Sequence, residues 1–342
     1  MERKASGGLI KDNGWAIGGP KIVAIGGGTG LSTLLRGLKA YTSNITAIVT
    51  VADDGGGSGI LRNDLGILPP GDIRNCILAL ANTEPIMESL MQYRFKEGSL
   101  RGQSFGNLFI AALNDICGSF DNAIREISNV LAVTGRVVPV TLEDITLFAE
   151  LDDGTIIKGE SQIPIRQISS NKKIKRVYLE PAECEAMPEA LKAIKEADAV
   201  IIGPGSLYTS IIPNFMVKGV AKAAHEAAAM KIYICNMMTQ QGETLGYDLS
   251  DHINAINEHA GHDIIEYAIV NSGRIPEDSA LRYMDEYAKP VEIDWDNIAA
   301  KGIKVVGDDF VRIDKGYVRH DYNALSRCIF KLINQEQKDS IF

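Results

Sequence analysis

The sequence predicts an α/β fold of the Rossmann-like, doubly wound type, with a mostly parallel sheet and helices on both of its faces. Short, almost wholly apolar runs alternate along the chain with segments whose apolar residues recur at helical spacing. Three glycine-rich turns stand where such a run gives way to a helix. One group of β-rich segments interrupts this alternation and predicts a small antiparallel insertion at about residues 137–180.

The first strand–helix unit begins at Lys21. KIVAI is apolar throughout, as expected of a strand that is buried on both faces of a parallel sheet. The next segment places Leu31, Leu34, Leu35 and Leu38 on one helical face. Further predicted strands are ITAIVTVA (45–52), AVIIG (199–203), KIYICN (231–236) and IEYAIVN (265–271), and predicted helices include FMVKGVAKAAHEAAAM (215–230) and DLSDHINAINEHA (248–260).

These elements predict a single nucleotide-binding domain over residues 21–335. The preceding residues 1–20 are polar and glycine-rich, and we expect them to form a flexible extension. Within the domain, the predicted insertion is made of the segments RVVPVTL, ITLFAEL, TIIKGESQI and KRVYLEP, with Asp152-Asp153-Gly154 as a hairpin turn. Two placements are open for this insertion: it caps the face that binds the ligand, or it decorates one edge of the sheet.

Composition limits the classes of function. The net charge of −9 argues against nucleic acid as the main partner, because duplex-binding proteins carry a basic face. The five cysteines are scattered and form no C-x-x-C pair, which favours small core residues in a reducing compartment. No apolar run reaches the roughly 18 residues that a membrane-spanning helix needs. We therefore expect a cytoplasmic protein with no membrane span, and homodimerisation is the default expectation for a protein of this class.

Each glycine-rich turn is a candidate phosphate site, because glycine lets backbone N–H groups converge and the following helix adds its positive end. The candidate nucleotide-binding residues are Gly26, Gly27, Gly28, Thr29 and Gly30 in the first turn and Gly203, Gly205 and Ser206 in the third. The dinucleotide fingerprint is broken, because Leu31 takes the place of its last glycine, and this disfavours an NAD-dependent oxidoreductase. The alternative for each turn is a tight strand–helix connection that binds nothing.

Acidic residues lead into the second turn, residues 55–59. Asp53 and Asp54 end a predicted strand, about where a Rossmann fold places its ribose-binding acid. They can accept hydrogen bonds from a ribose, or hold a divalent cation against the phosphates of a ligand. Asp72 opens a later helix and could share a Mg²⁺ site with Asp54, although capping of that helix is the simpler role.

Polar residues also follow a later predicted strand and precede the closing helix. Thr239, Gln240 and Glu243 come after KIYICN and are poorly explained by packing. Arg319, in the sequence Arg-His-Asp, has the chemistry to bind a phosphate through two parallel hydrogen bonds. Capping of the closing helix is the simpler account of Asp321.

Seven motifs in a fixed order carry a resemblance that covers about residues 21–327. They are KIVAIGGGTGLS, TVADDGGGSG, PPGDIRN, FGNLFIAAL, GPGSLYTSIIPN, the TQ-x-GET element and the closing RHD. Together they resemble the bacterial gluconeogenesis-factor family, which is related to the 2-phospho-lactate transferases of deazaflavin cofactor synthesis.

The resemblance implies two different functions. Members of the gluconeogenesis-factor branch are similar to binding proteins for UDP-sugars such as UDP-N-acetylglucosamine, and are needed for cell shape and wall synthesis during growth on gluconeogenic carbon sources. By motif, the sugar nucleotide would meet Tyr283 and Arg319, with Tyr287 one turn from the first of these. The related transferases bind a guanine nucleotide and Mg²⁺, and their metal-binding acids would fall on Asp54 and Asp72. The glycine-rich stretch after Asp54 differs from that of the transferases.

The main hypothesis is therefore a non-catalytic, UDP-sugar-binding regulator that acts on cell-wall precursor enzymes or morphogenetic proteins. In this hypothesis the first glycine turn holds the pyrophosphate, and Asp53 and Asp54 hold a ribose or Mg²⁺. The alternative is a Mg²⁺-dependent enzyme that transfers a phosphate-linked group from a guanine nucleotide. The other candidate nucleotide ligands are GDP, which fits the alternative, and NAD.

Overall fold

A seven-stranded parallel sheet lies at the centre of the computed structural model, which describes residues 9–10, 16–284, 287–314 and 316–339. The described strands are β1 (Leu9–Ile10), β2 (Ala16–Ile17), β3 (Ile22–Gly26), β4 (Ile45–Val49), β5 (Arg136–Pro139), β6 (Thr146–Leu151), β7 (Ile156–Lys158), β8 (Ile174–Glu180), β9 (Ala199–Ile202), β10 (Met230–Ile234), β11 (Tyr267–Asn271), β12 (Lys304–Asp308), β13 (Val311–Asp314) and β14 (Tyr317–His320). The described helices are α1 (Gly28–Leu38), α2 (Gly56–Leu65), α3 (Gly71–Leu80), α4 (Pro85–Gln92), α5 (Phe105–Cys117), α6 (Phe120–Val130), α7 (Gln162–Ser170), α8 (Pro188–Lys195), α9 (Ile212–Met216), α10 (Val220–Glu226), α11 (Leu249–Ala260), α12 (Glu277–Met284), α13 (Trp295–Ala300) and α14 (Tyr322–Asp339). A π-helical turn, Leu207–Ile211, runs directly into α9.

The order of the strands creates a crevice between β3 and β9. Across the sheet the order is β12-β11-β10-β9-β3-β4-β5, and every neighbouring pair is parallel. The chain moves outward from β3 to β5, then returns to the other side of β3 and moves outward again from β9 to β12. In doubly wound sheets, ligands bind at the carboxyl ends of the strands where this reversal occurs. The predicted fold class is confirmed.

The central strands are covered on both faces, which explains their uninterrupted apolar sequence. All residues of β3 and β9 are buried. The four leucines predicted to share one face of α1 are fully buried, and α1 packs against α3 and α14. Burying a leucine side chain stabilises a fold by about 1.5–3 kcal/mol, so this face fixes α1, and with it the turn that precedes α1, against the sheet.

One predicted helix is divided in two. The segment 215–230 was expected to be a single helix, but α9 ends at Met216 and α10 begins at Val220. Gly219, between them, has a φ of +91°, a left-handed conformation that interrupts a right-handed helix. The helical periodicity of the apolar residues did not reveal this break.

The antiparallel insertion is present, but it starts later than the sequence predicts. Its sheet has the order β7-β6-β8. The segment RVVPVTL was assigned to the insertion, yet it forms β5, which joins the central sheet beside β4 because its adjacent valines are both buried there. The predicted strand TIIKGESQI ends at Lys158, since Gly159 adopts a φ of +98°, and its last residues begin α7. The hairpin turn at residues 152–154 is confirmed between β6 and β7.

Much of the predicted N-terminal extension, residues 1–8 and 11–15, lies outside the described residues. Among those described, β1 and β2 pair in antiparallel fashion. The backbone then meets the connection between α1 and β4, where the Thr42 hydroxyl donates to the carbonyl oxygens of Gly18 and Pro20 at 2.8 and 3.0 Å. No described helix combines the length and the hydropathy needed to cross a membrane.

Candidate functional site

A cavity of about 560 Å³ opens at the carboxyl ends of β3, β9 and β10, at the point where the strand order reverses. Two of the predicted glycine turns meet there, and residues of the C-terminal ribbon β13–β14 close the opposite wall. The cavity is lined by Gly27, Gly28, Thr29, Gly30, Thr33, Pro204, Gly205, Ser206, Ser210, Asn236, Met237, Met238, Thr239, Gln240, Gln241, Tyr283, Val318, Arg319 and His320.

The first and third turns approach each other so closely that only glycine fits between them. A Cβ atom at Gly30 would lie 2.5 Å from the carbonyl oxygen of Pro204. Gly28 and Gly203 both have positive φ, +65° and +79°. Gly26 is the last residue of β3 and Gly203 directly follows β9, and neither is among the described residues that line the cavity.

The turn before α1 has the features of an anion site. The N-cap residue of α1 is Gly27, and no side chain caps the helix. The first N–H groups of a helix lack intrahelical acceptors and carry a partial positive charge. Together with the hydroxyl groups of Thr29 and Ser206, they give this wall of the cavity the donors that a phosphate requires.

The third turn is held in place by a buried carboxylate. Glu243 accepts hydrogen bonds from the Tyr208 N–H and the Thr209 hydroxyl, both at 2.8 Å. These groups belong to the π-helical turn that follows Ser206, so Glu243 caps it from a distant part of the chain. Burial raises the pKa of Glu243 to about 7. Thr239 and Gln240 line the cavity, so this polar element contributes both to its wall and to its support.

The second glycine turn and the three predicted aspartates are not among the described residues that line the cavity. They lie behind the first turn, where a Cβ atom at Gly27 would be 2.8 Å from Oδ2 of Asp72. Asp53 accepts from the Gly55 N–H at 2.9 Å and Asp54 from the Ser161 N–H at 2.8 Å.

The simpler interpretation of the sequence, that Asp72 caps α3, is wrong. The N-cap position of α3 is Pro70, and no side chain caps the helix. The Asp72 carboxylate instead accepts from the Gly28 N–H. Asp72 therefore supports the first glycine turn from behind, which is a role that helix-capping rules do not reveal.

A fourth carboxylate, Glu160, joins the three aspartates, and sequence reasoning missed it. Burial, with repulsion from Asp53, raises the pKa of Asp72 to about 6. Burial and repulsion from Asp53, Asp72 and Asp54 raise the pKa of Glu160 to about 8. We refer to these four residues as the acidic cluster. No group of three or more potential metal ligands was found among the described residues. The two-residue Asp54–Asp72 metal site stays a prediction.

The insertion lies beside the crevice, and none of the described residues that line the cavity belongs to it. Its residue Glu160 belongs to the acidic cluster, and the N–H of Ser161 donates a hydrogen bond to Asp54. On the other side of the crevice, Pro164 packs closely on Gly242. A Cβ atom at Gly242 would lie 2.8 Å from the Cα atom of Pro164. The insertion therefore bridges the two halves of the central sheet.

The residues predicted by resemblance, Tyr283 and Arg319, lie on the same wall. The Tyr283 hydroxyl accepts from the Val318 N–H at 3.0 Å, and the Arg319 guanidinium lies 5.5 Å from the centre of the Tyr317 ring. Tyr283 lines the cavity, whereas the alternative Tyr287 is 79% exposed and does not.

Two further lining residues were missed. Asn236 donates to the Gly205 carbonyl oxygen at 2.9 Å and so ties the end of β10 to the third turn. His320 faces the Cys235 carbonyl oxygen at 3.2 Å, and burial lowers its pKa to about 4, so its ring is neutral. The position of Asn236 directly after the KIYIC run was a usable signal, because strand ends face the crevice in this fold.

A family model, curated proteins of other bacteria and a solved structure are all similar to this chain. The family model described as 2-phospho-L-lactate transferase CofD matches residues 22–311. A putative gluconeogenesis factor of Clostridium acetobutylicum is 51% identical over 97% of this chain and 74% of its own. The gluconeogenesis factor of Bacillus subtilis is 47% identical over 92% of this chain and 99% of its own. A crystal structure of a Bacillus halodurans protein superposes with a TM-score of 0.87 at 47% identity, covering 91% of this chain and 99% of that one.

Replacement of Gly30 tests the contact between the two turns. We expect Gly30→Ala to lower the free energy of unfolding by about 1–3 kcal/mol, because the new methyl group must push back the Pro204 backbone. Gly55→Ala is the matched control, since its Cβ would meet no atom closer than 3.4 Å. Urea unfolding of both variants measures the effect, and equal stabilities would contradict the close approach.

The raised pKa of Glu243 predicts a pH-dependent stability. A carboxyl group whose folded-state pKa is raised contributes stability that is fully present below its unfolded pKa, near 4.5, and is lost as the pH rises through about 7. The stability of wild type relative to Glu243→Gln should therefore fall by on the order of 3 kcal/mol between these pH values. Glu226→Gln, at an exposed position, is the control. If the free energy of unfolding of both variants differs from that of wild type by an amount that does not change with pH, the assignment is wrong.

Proposed function

This chain belongs to the CofD family, in its gluconeogenesis-factor branch, and on that premise we propose that it is a regulatory protein that binds a UDP-sugar such as UDP-N-acetylglucosamine. The observation that carries the proposal is the meeting of two glycine turns, Tyr283 and Arg319 around one cavity at the switch point of the sheet. The volume of about 560 Å³ falls within the range of small-molecule sites.

The proposed roles follow from the chemistry of each wall. The N–H groups at the start of α1, apart from that of Gly28, which donates to Asp72, and the turn containing Gly205 and Ser206 face the pyrophosphate. Arg319 supplies the opposing positive charge. Tyr283 packs against the sugar or the base, in an orientation set by its hydrogen bond to the Val318 backbone.

Binding without turnover is favoured by what lines the cavity. Among the described lining residues there is no carboxylate, and the one histidine, His320, is held neutral by burial with a ring nitrogen facing a backbone carbonyl. A general acid or base near the reacting atoms typically accelerates such a transfer by about 10²–10⁴-fold. The acidic cluster is separated from this wall by the first glycine turn.

In this proposal the ligand-bound state is passed on to enzymes that make cell-wall precursors, or to proteins that set cell shape, during growth on gluconeogenic carbon sources. The proposed location is the cytoplasm, and a homodimer is the proposed assembly.

A second function, Mg²⁺-dependent transfer of a phosphate-linked group from a guanine nucleotide, is favoured by one observation. The acidic cluster lies directly behind the first glycine turn, and its repulsion is of the kind that a cation relieves. Mg²⁺ is commonly held by one or two carboxylates plus phosphate and water, so Asp54 and Asp72 fit it. When bound, the ion would stabilise charge on the leaving phosphate.

The first test is calorimetric titration with UDP-N-acetylglucosamine, with GDP and NAD as comparators. We expect UDP-selective binding without product formation, and Arg319→Ala should weaken it by roughly tenfold or more, because a charged partner of the phosphate is lost. Arg101→Ala, an exposed cation on a loop away from the cavity, is the control. Unchanged affinity in Arg319→Ala would discard that residue, and absence of UDP selectivity in wild type would discard the proposal.

The transferase alternative predicts that GDP binds better with Mg²⁺ than without it, and that Asp54→Asn abolishes any turnover. The amide oxygen of asparagine can still accept from the Ser161 N–H, so the fold is retained while the metal ligand is lost. Asp64→Asn, on the exposed face of α2, is the matched control. Full activity in Asp54→Asn would rule out the metal role.

A further inference from the structure

Two arginines face each other across the C-terminal ribbon. In the antiparallel pair β13–β14, Arg312 lies directly opposite Arg319. Side chains at directly opposite positions emerge on the same face, with Cβ atoms about 4.5–5.5 Å apart, and like charges placed in this way destabilise a ribbon. The arrangement therefore needs an explanation.

Each guanidinium rests on an aromatic ring. That of Arg312 lies 5.3 Å from the centre of the Tyr322 ring, and that of Arg319 lies 5.5 Å from the centre of the Tyr317 ring. None of the ion pairs found between described residues includes either arginine. The aromatic rings hold the two cations without neutralising them.

The two tyrosines under the guanidinium groups, Tyr317 and Tyr322, contact residues of the cavity wall and of α1. Tyr317 stands edge-on to Tyr283, with ring centres 6.2 Å apart. Tyr322 begins α14, and its carbonyl oxygen is in such close contact with Gly37 of α1 that no side chain fits there. The helix that follows the first glycine turn and the ribbon that carries both arginines are thus parts of one packed unit.

We propose that Arg312 acts with Arg319 as a second cation for the ligand, and that the pair binds the diphosphate of the nucleotide from the side opposite the glycine turns. The inference rests on the proposed function. Arg319 lines the cavity, and Arg312 is its immediate neighbour on the same face of the ribbon. A bound diphosphate removes the repulsion that the free protein carries.

This role predicts effects of opposite sign in the free and the bound protein. Arg312→Gln relieves the repulsion, so its Tm without ligand should be equal to or higher than that of wild type. Its affinity for UDP-N-acetylglucosamine should fall by roughly tenfold, because a charge-assisted contact is lost. The affinity should also depend less steeply on salt concentration, since one phosphate-facing cation is gone. If Arg312 served only to stabilise the fold, Arg312→Gln would instead lower the Tm of the free protein.

The experiment combines calorimetry and thermal unfolding of wild type, Arg312→Gln, Arg312→Lys and the control Arg101→Gln. The lysine variant keeps the charge but loses the planar stacking on Tyr322, and we expect it to bind with intermediate affinity. Arg101→Gln should match wild type in every measurement. Wild-type affinity in Arg312→Gln would overturn the inference, and so would a loss of affinity accompanied by a matching loss of Tm.

Inorganic pyrophosphate separates this inference from the identity of the nucleotide. It should raise the Tm of wild type and of Arg101→Gln, and raise that of Arg312→Gln much less. If wild type fails to bind UDP-N-acetylglucosamine but shows this pattern with pyrophosphate, the proposed ligand is wrong and the paired arginines stand. If pyrophosphate protects Arg312→Gln as well as wild type, the paired arginines are wrong whichever nucleotide binds.

Discussion

The rest of the site depends on the contact between two backbone turns at the centre of the sheet. Gly30 and the Pro204 carbonyl group approach to a distance that excludes any side chain. This approach is possible because β3 and β9 are adjacent and parallel, so both turns leave the sheet at the same edge. Asp72 supports the first turn from behind and Glu243 supports the third. Two buried carboxylates thus fix a surface made largely of backbone donors.

Charge is distributed unequally around this surface. The acidic cluster lies behind the first turn, and Arg319 lies on the wall of the cavity across from it. A chain with a net charge of −9 therefore has a cationic side chain and no carboxylate among the described residues that line this cavity. The first glycine turn lies between the acidic cluster and the cavity, so a phosphate bound as proposed would meet Arg319 without meeting the carboxylates. Such separation suits recognition of an anion by an acidic protein.

The sequence predicted five of the seven strands of the central sheet, β5 and β12 being the exceptions, and about half of the residues that line the cavity. Apolar runs such as KIVAI are explained by burial on both faces, and the glycine turns are placed by the rule that ligands meet strand ends. The division between α9 and α10 was not predictable, because it depends on the backbone conformation of Gly219. Glu160 was missed because its importance comes from three aspartates that are about a hundred residues away in sequence, brought close only by the fold of the insertion. Patterns that are local in sequence do not contain such neighbours.

The order of the walls along the chain has a consequence for biosynthesis. The glycine turn after β3 is made early by the ribosome, whereas the ribbon that carries Arg312 and Arg319 is made after every strand of the central sheet. Domains tend to fold as units during synthesis, from the N-terminal side. Because a domain tends to fold as a unit, the cavity between the glycine turns and Arg319 is completed only when the ribbon has been made. Ligand recognition of the kind proposed therefore requires translation through the ribbon.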